Sequence, residues 1–219
     1  MNTNVSTASR KIVINRVLRN TYQLLSATLL FSGLMAYTSM SLNLPYFGLL
    51  ITLVGYFGLL FLVTKLRNSA FGILAVFALT GFMGLTLGPV INAYTMAFSN
   101  GAELVAMAMT GTGIIFLTLS FYAIASGKDF SFMSGFLTAG IMVAFLAGIA
   151  AILFSIPALS LAVSAAFILL MSGLILFETS NIIHGGETNY IMATVTLFIS
   201  IYNLFLSLLQ LLGVFSGED

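Results

Sequence analysis

Seven times along its length this chain runs for about twenty residues almost without a charge, the length a helix needs to cross the hydrocarbon of a bilayer. The runs are, within a few residues, Tyr22–Leu42, Phe47–Thr64, Phe71–Val90, Glu103–Ala125, Phe132–Phe154, Ala158–Glu178 and Tyr190–Gly213. A soluble fold of 219 residues could not cover its surface with seven Lys/Arg and six Asp/Glu, so the pattern predicts an all-α, polytopic membrane protein. The expected organisation is a basic N-terminal tail over 1–21, a seven-helix membrane domain over 22–213 and a short tail over 214–219. The connectors are too short for a second domain.

Local signals agree with these breaks. Gly127 and Gly185 can end the fourth and sixth helices, Asn100 and Glu103 have the spacing of a capping box, and Pro89 is expected to end or kink the third helix. The first run follows Arg10, Lys11, Arg16 and Arg19 but is long, lacks a clear small-residue cleavage site and precedes six further spans. It reads as a retained anchor rather than a cleaved leader. With the N-terminus in the cytoplasm, all seven basic residues fall on one side: the four in the tail, Lys65 and Arg67 after the second span, and Lys128 after the fourth. An odd number of spans then leaves the C-terminus on the periplasmic side.

Small residues have a structural task in lipid, where close backbone approach supplies much of the packing between helices. Gly55, Gly58, Gly81, Gly84, Gly88, Gly140, Ala144 and Gly148 are read in this way. In the seventh run Thr196, Ser200, Asn203, Ser207 and Gln210 recur at spacings of four, three, four and three, which places them on one face of a helix. Such a face turns toward other helices or a wet cavity, so either interhelical hydrogen bonding or a polar pathway accounts for it. Glu178 follows the apolar stretch 165–177 and is either an acid within the span, a functional candidate, or an acid at the lipid–water boundary. Lys65 and Arg67 are its candidate cation partners. Glu103 suits a helix N-terminus; Lys128, Asp129 and Glu187 read as solvated.

Enzyme chemistry finds little to work with. No cysteine and a single histidine, His184 in an expected loop, exclude a Cys-rich or His-rich metal site, and no cofactor is implied. Ser134 precedes Gly135, but Phe132 stands where a serine hydrolase elbow needs glycine. Neither a phosphate-binding loop nor a basic nucleic-acid patch is present, so the bilayer is the one partner that the residues themselves require.

The run Phe177-Glu178-Thr179-Ser180-Asn181-Ile182-Ile183-His184-Gly185-Gly186-Glu187-Thr188-Asn189-Tyr190, followed by Ser200-Ile201-Tyr202-Asn203-Leu204-Phe205, resembles the C-terminal motif of the Bax inhibitor family. Val17-Leu18-Arg19-Asn20-Thr21-Tyr22 and Gly88-Pro89-Val90-Ile91-Asn92 resemble its bacterial branch, and the similarity runs from Val17 to Gly213. This resemblance implies seven helices with the last one central, residence in the bacterial inner membrane, and a role as a regulator of the membrane protease FtsH. It also implies a second possibility, a pH-sensitive calcium leak governed by two acids, with calcium or protons as partners. Glu178 matches the first acid. Ser200 occupies the place of the second, so two carboxylates sharing a proton are not available here. One Glu and a Ser are also a poor start for calcium, which takes six to eight oxygens.

Overall fold

The computed structural model describes the backbone of residues 3–217 and the side chains of residues 13–217. Met1, Asn2, Glu218 and Asp219, together with the side chains of Arg10 and Lys11, lie outside the described residues. Seven α-helices follow one another: α1 (Thr3–Ser41), α2 (Gly48–Leu66), α3 (Phe71–Ala97), α4 (Gly101–Ser126), α5 (Ser134–Leu153), α6 (Pro157–His184) and α7 (Tyr190–Ser216), with one 3-10 turn at Ser131–Met133 before α5. All seven are long and apolar enough to cross a membrane.

Several helix boundaries differ from expectation. Helix α1 begins at Thr3, so most of the basic N-terminal stretch is an extension of the first span, whose apolar part starts at Val13. Helix α6 continues to His184, which places Glu178 inside the helix and makes His184 its last residue rather than part of a loop. Asn100 does stand at the N-cap of α4 but makes no side-chain cap there. Its Nδ2 donates instead to Ser216 Oγ at 2.9 Å.

Pro89 neither ends nor breaks α3, which continues to Ala97. A proline within a helix removes the N–H that would serve the carbonyl four residues back, here that of Leu85. The hydroxyl of Ser39 on α1 donates to that carbonyl at 2.8 Å. The neighbouring helix thus supplies the missing donor, a known way for membrane helices to tolerate proline.

Two helix ends that lack glycine use a left-handed residue all the same. Asn43 (φ 49°) follows α1 and Ser155 (φ 51°) follows α5. In each case the next N–H reaches back into the last turn, Leu44 to Ser39 O at 3.0 Å and Ile156 to Ala151 O at 2.9 Å. Gly127 (φ 58°) and Gly185 (φ 76°) terminate α4 and α6 as the sequence suggests.

The chain divides into two compact units: Met1–Met96 with Ile182–Phe198, and Ala97–Asn181 with Ile199–Asp219. In the first, glycines on α3 let α1 come close. A Cβ on Gly84 would collide with the Ser32 backbone, one on Gly88 with Ser39, and one on Gly81 would lie 2.7 Å from the Phe31 ring. Gly55 on α2 faces Phe82 in the same way, whereas Gly58 meets nothing and is not a packing glycine. In the second unit α5 and α6 pack through Gly140 against Leu170 and Gly173 against Leu137 and Met133, while Gly148 makes only an ordinary contact with Val163. Ala144 is buried. Helix α4 buries one narrow face, Leu104, Ala108, Thr112, Phe116, Ser120 and Ala123, at helical spacing.

Candidate functional site

Helix α7 is covered around its whole circumference: from Tyr190 to Gly213 every residue is buried or half-buried. Its polar stripe is therefore inside the protein, with Ser200 and Ser207 buried and Thr196, Asn203 and Gln210 half-buried.

At the far end of the stripe, Gln210 Nε2 donates to Ser160 Oγ and its Oε1 accepts from Ser164 Oγ, both at 2.6 Å. The two serines are one turn apart on α6, so a single amide clamps two successive turns of its neighbour. Asn203 turns its Nδ2 back to Ile199 O at 2.9 Å on its own helix. At the start of α7, the Thr194 hydroxyl donates to Thr21 O on α1 at 3.2 Å and to Tyr190 O at 2.7 Å. Gln210 and Thr194 thus spend their side-chain polar atoms on bonds within α7 and to its neighbours, and Asn203 its amide nitrogen.

Entry into α7 is fixed by Asn189. Its Oδ1 accepts from the N–H groups of Ile191 and Met192 at 3.0 and 3.2 Å, an N-cap, and its Nδ2 donates to Arg67 O and Asn68 Oδ1. Glu187, expected to be solvated, is half-buried and accepts the Asn189 N–H at 2.6 Å. The Glu187-Thr188-Asn189-Tyr190 part of the motif thus serves as a latch between the turn before α7 and the turn before α3.

Glu178 lies within α6, six residues before its end, and is only 5% exposed. Thr179 and Ser180 beside it are buried as well. Ser180 Oγ donates to Lys128 O at 2.9 Å and accepts the Phe130 N–H at 3.1 Å, which ties the connector after α4 to α6. Lys65 and Arg67, the candidate partners of Glu178, are exposed residues of the first unit, whereas Glu178 and Ser200 belong to the second. No cluster of three or more His, Asp or Glu side chains occurs among the described residues.

The hydrogen-bonding role of Ser160, Ser164, Ser180, Thr194 and Asn189 is not evident from the stripe alone. Some of these carry a visible signal. Ser160 and Ser164 are spaced four apart in an apolar helix, and Asn189 is a capping residue type directly before an apolar run.

Comparison with known proteins supplies the context. The profile of a family described as inhibitor of apoptosis-promoting Bax1 (Bax1-I) matches residues 14–217. The modulator of FtsH protease YccA of Escherichia coli K12 is 53% identical over 94% of this chain and 92% of its own. An uncharacterized protein of Pseudomonas aeruginosa is 52% identical over the same shares. A membrane protein of Vibrio cholerae is 42% identical over 100% of this chain and 98% of its own. With a family profile that matches residues 14–217 and a relative 53% identical over nearly the whole of both chains, this chain belongs to the Bax1-I family of membrane proteins.

Proposed function

We propose that this chain is a regulatory protein of the bacterial inner membrane, not an enzyme, and that it modulates an FtsH-type membrane protease. The observation that carries this reading is the 53% identity, over nearly the whole length of both chains, to a protein named for that activity. The build of α7 supports it. Gln210 and Thr194 use their polar atoms to hold neighbouring helices rather than to line an open path. The test is co-purification of the full chain with the protease and turnover of a membrane substrate with and without it. Removing Met1–Ser9 leaves Arg10, Lys11, Arg16 and Arg19 to set orientation, and is expected to weaken regulation while insertion persists. Absence of capture by the full chain, with substrate turnover unchanged in its presence, would remove the protease from the account.

A positive-inside arrangement puts the N-terminus in the cytoplasm and the C-terminus in the periplasm. A reporter fused after Asp219 is expected to be active only in the periplasm.

The burial of Glu178 favours a second reading, a cation leak with Glu178 as gate and Ser200, Asn203, Thr196 and Ser207 along the path, carrying calcium or protons. Because Ser200 stands in for the family's second acid, a single carboxylate is expected to titrate as one group. Ser200→Asp is expected to create or sharpen pH dependence of calcium flux in liposomes, and Glu178→Gln added to it to abolish that dependence. Flat flux across pH in Ser200→Asp removes the gate.

A further inference from the structure

The short connector between α4 and α5 carries one lysine, and its setting is more organised than a solvated charge requires. Lys128 is exposed, yet its Nζ donates to Tyr122 Oη at 3.3 Å and lies 5.9 Å from the centre of that ring. Tyr122 in turn is 6.1 Å from Phe130, and Phe130 6.4 Å from Phe132, centre to centre. The backbone beneath is held from both sides. Buried Ser180 bonds Lys128 O and Phe130 N, and Asp129 Oδ1 accepts the Ser131 N–H at 2.8 Å as the chain enters its 3-10 turn.

Position adds the rest of the argument. Only four residues separate the span that ends at Ser126 from the one that starts at Ser131, so Lys128 is confined to the membrane surface whichever way the protein is oriented. The large aromatic side chains next to it open outward: Phe121 and Phe132 are more than 70% exposed, and Tyr122 is 44% exposed. Tyrosine is a residue type enriched at the membrane–water interface, and the two exposed phenylalanines offer apolar surface beside it.

We propose that Lys128 and Tyr122 form a binding site for the phosphodiester of an anionic phospholipid, with Phe121 and Phe132 against its acyl chains. An ammonium has three donors, and one of them is used by Tyr122 Oη. Two remain for a phosphate oxygen. The phenol accepts from Lys128 and so keeps its own hydrogen to donate to the second phosphate oxygen. The lysine starts from a backbone that Ser180 already holds, which lowers the ordering cost of binding.

The experiment measures phosphatidylglycerol retained by the purified full chain after detergent exchange from mixed phosphatidylcholine–phosphatidylglycerol vesicles, quantified by mass spectrometry. The wild type is expected to enrich phosphatidylglycerol over phosphatidylcholine. Lys128→Ala is expected to lower that enrichment roughly fivefold, the share of one basic residue at an anionic surface. Lys128→Arg should restore it, and Lys65→Ala, which removes a surface charge outside the site, should lower it less than Lys128→Ala does. Tyr122→Phe keeps the charge and the ring, so general attraction to a negative surface predicts no change, whereas the site predicts a measurable fall. Equal enrichment in wild type and Lys128→Ala, an equal loss in Lys65→Ala, or no loss in Tyr122→Phe would overturn the proposal. So would displacement of the lipid by inorganic phosphate, which would make the site one for a free anion.

Discussion

Helices α2 and α7 are almost equally apolar, yet they meet opposite surroundings. In α2 Val63 is the buried residue, while Leu50 and Phe61 are 76% and 68% exposed. In α7 nothing between Tyr190 and Gly213 is exposed. Since lipid tails are as apolar as leucine, hydropathy cannot decide which helix lies inside. Placement of polar and small residues does. Helix α7 carries Thr194, Thr196, Ser200, Asn203, Ser207 and Gln210, of which Thr194 and Gln210 bond to neighbouring helices, whereas α2 returns its Thr64 hydroxyl to Leu60 O on its own helix.

The hardest test of this contrast compares two phenylalanines. Phe198 of α7 is almost fully buried, and Phe198→Ala is expected to destabilise by about 3 kcal/mol through the cavity it leaves. Phe61→Ala removes a ring that faces lipid and should change stability by less than about 0.5 kcal/mol. Unfolding of both variants in mixed micelles reads the difference. Similar losses would mean that α2 is covered in the native protein and that the contrast is false.

A second comparison uses glycines. Gly84→Ala would drive a methyl into the Ser32 backbone, which cannot rotate aside, and is expected to cost about 2 kcal/mol. Gly58→Ala meets open space and should be neutral or gain up to about 1 kcal/mol from helix propensity. The same unfolding assay ranks them, and a loss at Gly58 equal to that at Gly84 would place α2 against protein.

Gln210→Leu probes the clamp. It preserves bulk but leaves Ser160 and Ser164 without the amide that joins them, and about 1–2 kcal/mol of stability is expected to go. Replacing both serines by alanine in that background should recover part of the loss, because no hydroxyl is then left buried without its partner.

How much of this was legible follows from the physics of each signal. The number of spans was readable because hydrocarbon thickness sets a length that seven apolar runs satisfy. The polar stripe of α7 was readable because its residues repeat at helical spacing, but the cover over the rest of that helix was not. The boundaries of α1 and α6 were not, since polar residues such as Asn15, Thr179 and Asn181 continue a helix once hydrogen bonding along the backbone propagates through them. Gly58 resembles Gly55 in sequence, and only its neighbours distinguish the two. The setting of Glu178 was half legible. Its place in an apolar run suggested a buried acid, but its depth depended on where α6 stops.

Pro89 was expected to end or kink α3; it does not end it, and it yields the smallest but most specific test. Sequence shows the lost N–H but not the donor that replaces it, because Ser39 is 46 residues away along the chain from the carbonyl it serves. If Ser39 repairs the proline, Ser39→Ala leaves Leu85 O without that hydroxyl and should cost about 1 kcal/mol. In a Pro89→Ala background the backbone N–H of residue 89 is restored, so α3 can satisfy Leu85 O by itself and the same Ser39→Ala change should cost much less. The double-mutant cycle isolates this coupling from any packing effect of the lost hydroxyl against Gly88, which is present in both backgrounds. An equal cost with and without Pro89 would show that Ser39 acts through packing alone. A reduced cost would extend the contrast between α2 and α7 to α3: polar side chains mark the buried faces of this protein because backbone and side-chain groups there need partners that lipid cannot provide.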